Sequence, residues 1–223
     1  MAERTVKIYP LFERFWHWSQ TVLVVVLMAT GFRVAGFYEF GLRYETAFSV
    51  HIIAALTIMV LWVFAIFWHL TTGTWRHYLP TREGFPQVAR FYTIGIFKGE
   101  PHPYRKAYLR KHNPLQAMAY LSLKAVLLPG IWVTGLLYLT YGVWGSDPAR
   151  TGWLPVVADL HVFFALALVT FVVAHLYMLT AGHSFKEHVK PMISGFDKVD
   201  LTPEQEAYLA TTEPGRLRED RST

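Results

Sequence analysis

Four long apolar stretches, roughly residues 15–34, 48–70, 115–141 and 156–181, decide what this chain can fold into. A helix needs about 20 mostly apolar residues to cross the hydrocarbon core of a bilayer, and each stretch supplies them. The first contains the unbroken run from Val22 to Ala29. It is too long for a signal peptide core, lacks a small-residue cleavage site where one would be needed, and is followed by three more such stretches. Only 17% of the residues are charged, against about 25% in ordinary soluble domains. The expected fold is an all-α membrane protein, a bundle of four transmembrane helices.

Lysine and arginine set the direction of the spans, because connections on the cytoplasmic side carry an excess of them. Arg4, Lys7 and Arg14 precede the first span. Eight basic residues, from Arg76 to Lys111, lie between spans two and three, and six, from Lys186 to Arg221, follow span four. The other two connections hold only Arg43 and Arg150. Both termini and the middle connection are therefore expected in the cytoplasm. Trp16, Trp18, Trp75, Trp144 and Trp153 fall near span ends, as in an aromatic belt. The basic residues are thus accounted for without nucleic acid.

The middle connection, residues 71–114, is long for a structureless loop. Val88, Phe91, Tyr92, Gly95 and Ile96 repeat with helical spacing, with Arg90 and Lys98 off that stripe. This predicts a helix lying on the cytoplasmic membrane surface or packed against a partner. The membrane domain is expected over residues 1–196. Residues 197–223 are expected to form a polar cytoplasmic tail, flexible over residues 201–223, which hold five acids and three arginines.

Ionisable residues inside spans need a reason, and four histidines lie there: His17, His51, His161 and His175. Alternating entry puts His51 and His161 toward the outside, His17 and His175 toward the cytoplasm. His161 and His175 are 14 positions apart, close to four helical turns, so they share a face about 21 Å apart along the axis. Two depth-matched histidine pairs suit haem b with two axial imidazoles. With no cysteine in the chain, haem must be held non-covalently, and iron–sulfur clusters on thiolates are excluded. Zinc would leave two ligand positions empty at each level. Gly31, Gly130 and Gly135 allow close approach of a planar ligand or of a neighbouring helix, with a kink at Pro129 as the alternative. Arg33 and Arg43 at the outer end are candidate partners for haem propionates. Lys124, inside span three, either snorkels to the cytoplasmic side or pairs with such an anion.

At these residues the chain resembles a known family. Glu13-Arg14-Phe15-Trp16-His17-Trp18, Val50-His51 and the His161-x13-His175 spacing are similar to the di-haem cytochrome b membrane subunits of formate dehydrogenase (gamma subunit), nickel–iron hydrogenase and thiosulfate reductase. The similarity runs over roughly residues 8–196. It implies a subunit of the bacterial cytoplasmic (inner) membrane carrying two b haems, His51 and His161 holding the outer one, His17 and His175 the inner one. It also implies a menaquinone or ubiquinone pocket beside the inner haem. Lys111-His112-Asn113-Pro114-Leu115-Gln116 resembles the family stretch that opens span three, so Asn113 and Gln116 carry over as quinone contacts. Asn113 can equally cap the span, with Pro114 at its first position. His69, His112 and His183 are candidates for a proton path. The implied partner is a catalytic or iron–sulfur subunit, or a multihaem cytochrome c; the Gly99–Lys106 run departs from the hydrogenase subunits and leaves that choice open. A competing reading is a small transporter or channel whose histidines relay protons. It predicts a colourless protein, where haem predicts reducible absorption bands.

Overall fold

The computed structural model describes residues 2–104, 106–108, 110–145, 152–180 and 185–218. Four helices are long and apolar enough to cross a membrane: α1 (Leu11–Val34), α2 (Tyr44–Thr72), α4 (Pro114–Leu139) and α5 (Trp153–Leu179). They stand where the four apolar stretches were expected and extend them by up to four residues at either end, apart from α4 and α5, which stop two residues short. Helices follow from the solvent: in hydrocarbon every backbone amide must be satisfied within its own segment. The ends match the helix dipole, with Glu13 and Glu45 in first turns and Arg33 in a last turn. A shorter helix, α3 (Phe85–Thr93), lies in the middle connection, and α6 (Phe185–Ser194) and α7 (Pro203–Thr212) follow the last span.

The chain divides into two compact units. One comprises residues 17–68 and 122–175, which hold most of the four long helices. Ala54, Ile58, Trp62 and Ala65 form a buried stripe on α2, while Ile53, Val60, Val63, Phe64 and Phe67 are exposed around it. An apolar surface of that extent is what lipid requires. At Gly130 a Cβ would stand 2.4 Å from the Phe164 ring, so glycine sets how closely α4 approaches α5. Trp62 and Trp132 meet edge to face at 5.9 Å. Ahead of Pro129, α4 widens into a π-helical turn over Leu123–Leu127, the Leu128 amide reaching back to Leu123. Proline offers no N–H and crowds the carbonyl four residues before it, and the wide turn relieves that crowding.

The second unit comprises residues 1–16, 69–121 and 176–223. It corrects the expected flexible tail. Strand β2 (Phe196–Leu201) pairs antiparallel with β1 (Ala2–Lys7), Ala2 opposite Leu201 and Lys7 opposite Phe196, and β3 (Leu217–Arg218) pairs with the other edge of β1. Val6, Ile8, Val199, Leu201 and Leu209 close a small core, with Tyr9, Tyr108 and Leu217 against it. A capping box between Thr202 and Gln205 starts α7. Lys106 binds Asp197 at 2.5 Å, and the Asp200 amide donates to the Lys106 carbonyl. Gly195 turns α6 into β2 at φ 87°, and its carbonyl accepts from the amides of Ile8 and Tyr9. A Cβ there would also meet the Tyr9 carbonyl at 2.8 Å, so both the turn and the approach require glycine. Because β1 precedes the first span and β2 follows the fourth, their pairing joins the segment before α1 to the segment after α6. In the middle connection, Val88 and Phe91 of α3 are buried within this unit, leaving Ile94 and Phe97 exposed just beyond it.

Candidate functional site

Both histidine pairs lie in the first unit. His51 on α2 and His161 on α5 face one another with ring centroids 6.4 Å apart and planes at 76°. Thr30 of α1 places its hydroxyl 3.0 Å from His51 Nδ1, and Thr134 of α4 places its own 3.1 Å from His161 Nδ1. The next residue in each case is glycine. A Cβ at Gly31 would stand 3.2 Å from His51 Cε1, and one at Gly135 3.1 Å from His161 Cε1. Both threonines are buried. His17 and His175 are close enough to interact electrostatically. Phe171 stacks parallel to the His175 ring at 6.3 Å, and Trp18 meets His17 edge to face at 5.2 Å. The buried Nδ1 of His17 has no hydrogen-bond partner among the described residues.

These features fit haem. Two imidazoles on opposite sides of one metal, each with its nitrogen about 2 Å away, have ring centroids roughly 6 Å apart, as the His51–His161 rings do. Among the described residues no three His, Asp or Glu side chains gather as a metal-ion site, so the histidines are arranged as pairs.

The candidate propionate partners divide. Arg33 donates from Nε to the Leu42 carbonyl at 2.8 Å and lies 6.0 Å from the Tyr44 ring. Arg43, just before α2, lies 3.7 Å from Glu45 in the first turn of that helix, and both arginines line one open depression with Glu39. Lys124, in the π-helical turn, stands apart from them with Nζ 5.6 Å from the Trp62 ring.

In the second unit Asn113 and Gln116 form a reciprocal cap on α4: Asn113 Oδ1 accepts from the Gln116 amide at 2.8 Å, and Gln116 Oε1 accepts from the Asn113 amide at 3.1 Å. Asn113 Nδ2 donates to the Tyr92 hydroxyl at 3.3 Å. Both side-chain oxygens thus serve the helix start, and the amide nitrogens are what each can offer a ligand. Beside the cap, Trp16, His69, Tyr78, His112 and Tyr120 form a chain of ring contacts at 4.9–5.4 Å, apart from Tyr78–Tyr120 at 6.4 Å. Glu13 and Lys111 make a buried ion pair, Nζ 3.0 and 3.3 Å from the two carboxylate oxygens, under the Tyr9 ring at 5.3 Å. Burial lowers the Lys111 pKa, and Glu13 pulls it the other way. Burial likewise raises the Tyr78 and Tyr9 hydroxyls, with nearby Glu13 adding to both. His183 lies outside the described residues.

Sequence reading did not single out Thr30, Thr134, Tyr78 or Glu13 as site residues. A signal for the threonines was present in the Thr-Gly dipeptide that spans one and three both carry, Thr30-Gly31 and Thr134-Gly135.

Four apolar helices with His51 and His161 facing one another fit a membrane-embedded b-type cytochrome. The family model for prokaryotic cytochrome b561 matches residues 8–195, and the chain belongs to that family of membrane electron-transfer cytochromes carrying haem b. It is also 32% identical over 204 residues to the Escherichia coli (strain K12) protein named "Putative cytochrome YdhU", an alignment covering 86% of this chain and 75% of that one.

Proposed function

We propose that the chain carries two b haems and passes electrons between a redox partner outside the cytoplasmic membrane and the quinone pool. His51 and His161 hold the outer haem, His17 and His175 the inner. When bound, each haem supplies a one-electron carrier with no open coordination position. The observation that carries this reading is the His51–His161 pair, with ring centroids 6.4 Å apart and both Nδ1 atoms against threonine hydroxyls. The excess of basic residues in the termini and middle connection supports their placement in the cytoplasm.

The protein's own groups divide the remaining work. The exposed apolar residues of the four helices keep water from the histidine pairs. Arg33 and Arg43 offer cations to propionates at the outer end, and Lys124 offers one within the span. Asn113 and Gln116 offer amide N–H donors to a quinone carbonyl, and the neighbouring rings of Tyr78, His112 and Tyr120 offer a flat apolar wall. His69 and His112, whose rings both contact Tyr78, offer imidazole nitrogens to pass protons toward such a head group. The partner is a catalytic or iron–sulfur subunit, or a multihaem cytochrome c.

Haem quantitation and a reduced-minus-oxidised spectrum of the purified protein test this directly. Two b haems per chain are expected, with His51→Ala and His161→Ala removing the same spectral component and His17→Ala and His175→Ala the other. A colourless protein, or loss of different components from the His51 and His161 variants, overturns the assignment.

A further inference from the structure

The threonine hydroxyls beside the outer histidines are each in contact on two sides. Thr30 Oγ1 lies 2.7 Å from the carbonyl oxygen of Val26, one turn back on α1, and 3.0 Å from His51 Nδ1. Thr134 Oγ1 lies 2.7 Å from the carbonyl oxygen of Gly130 and 3.1 Å from His161 Nδ1. A carbonyl oxygen can only accept, and the hydroxyl has one proton. One assignment satisfies both contacts. The hydroxyl donates backward to its own helix, and its oxygen accepts from Nδ1–H of the histidine. A neutral imidazole carries a single N–H, so Nε2 of both rings is left with its lone pair.

The following glycines complete the seat. A side chain at Gly31 or Gly135 would press on Cε1, the ring carbon between the two nitrogens, at 3.2 or 3.1 Å. Each ring is therefore gripped at Nδ1 and given room at Cε1. The two seats are built alike from different helices: a Thr-Gly pair of α1 serves a histidine of α2, and a Thr-Gly pair of α4 serves a histidine of α5. The inner level lacks this arrangement at His17, whose buried Nδ1 has no acceptor among the described residues.

We propose that Thr30-Gly31 and Thr134-Gly135 are paired seats in which Thr30 and Thr134 act as positioning residues, fixing the Nδ1–H form of His51 and His161 and presenting both Nε2 lone pairs to one shared iron. The proposal rests on His51 and His161 being the outer haem ligands and adds how they are held and tuned. An acceptor on Nδ1–H makes the imidazole a stronger electron donor toward its metal. The oxidised iron gains most from that, so the threonines lower the potential of the outer haem.

The test is a redox titration of the purified holoprotein with Thr30→Val, Thr134→Val, both together, and the matching serine variants. Valine keeps the shape and removes the hydroxyl acceptor, leaving the Leu27 and Ile131 carbonyls, which His51 and His161 also reach, as the remaining acceptors. Each single valine variant is expected to keep both haems and to lower the oxidised-to-reduced ratio of the outer component at fixed potential roughly threefold, about +28 mV at 59 mV per tenfold. The double variant is expected to move it nearly tenfold, and the serine variants to titrate as wild type. The inner component, unmoved in every case, serves as the control for folding. Gly31→Ala and Gly135→Ala are expected to lower outer-haem occupancy. If the valine variants keep the outer component at its wild-type potential while both haems are present, the seats do not tune the ligands and the proposal falls. If His51→Ala and His161→Ala leave the outer component intact, the ligand assignment itself falls, separately from the threonines.

Discussion

Lys111→Met is expected to destabilise the protein by about 3–5 kcal/mol, the cost of leaving one partner of a buried ion pair alone. The magnitude follows from the geometry. Nζ stands 3.0 Å from one Glu13 oxygen and 3.3 Å from the other, and the two side chains are only 8% and 11% exposed. At 3 Å and an effective dielectric constant near 20, the attraction is about 5 kcal/mol. Burial of both charges offsets most of it in the wild type. Removing the lysine takes away the attraction and leaves the burial cost of the Glu13 carboxylate uncompensated, and methionine fills most of the vacated space. Glu13→Gln is expected to destabilise for the same reason from the other side. The double variant, Glu13→Leu with Lys111→Met, is expected to lie near wild type, because a matched apolar pair carries no buried charge. Reversible unfolding in mixed micelles, followed by helicity and by tyrosine and tryptophan fluorescence, measures all three. A single variant costing less than about 1 kcal/mol, or a double variant as unstable as the two singles summed, would refute the reasoning.

Three further outcomes are expected. Gly130→Ala puts a methyl into the Phe164 ring and should cost about 1–3 kcal/mol in the same unfolding assay, recovered when Phe164→Leu is added; no recovery would place the strain elsewhere. Asn113→Ala should cost about 1 kcal/mol through loss of the α4 cap. If Asn113 also contacts quinone, it should slow quinone-linked turnover with both haem spectra unchanged, whereas normal turnover would leave it as a cap alone. The Arg90–Glu100 pair, at 2.7 and 2.8 Å, holds the Glu100 carboxyl below the usual carboxylate range. Its contribution is therefore present above the ordinary glutamate pKa and is lost as pH falls through the lowered folded value. Proteolysis of the 85–100 segment should accelerate on acidification in the wild type and show no such step in Glu100→Gln.

The four spans were legible because an unbroken apolar run has one reading in a sequence, and so were the histidines, because an ionisable group in such a run stands out. The threonines did not stand out. A threonine in an apolar helix donates to its own backbone and is compatible with lipid anywhere, so only the facing ring reveals Thr30 and Thr134 as acceptors. The sheet was hidden for a different reason. Val199, Leu201 and Leu209 are few apolar residues in a polar stretch, and their partners Val6 and Ile8 lie at the opposite end of the chain, where no local period connects them. Asn113 was legible in both its possible roles, and the structure displays the cap. The ion pair could not be read at all, since nothing in sequence relates Glu13 at the start of one helix to Lys111 before another.

The pairing of β1 with β2 also sets the order of events in biosynthesis. Roughly 190 residues separate the two strands, so at about 5–20 residues per second the first strand waits on the order of 10–40 s for its partner. Throughout that interval it is an open edge, and the sheet closes only after the fourth span has been made. Closure also requires an even number of crossings. A chain in which one span failed to enter the bilayer would hold its two strands on opposite sides, with Val6, Ile8, Val199 and Leu201 exposed to solvent and proteases. The small sheet thus ties two distant acts of insertion together: it can form only when the segments flanking the four spans share one compartment, and a chain with a span left out would keep these apolar residues uncovered.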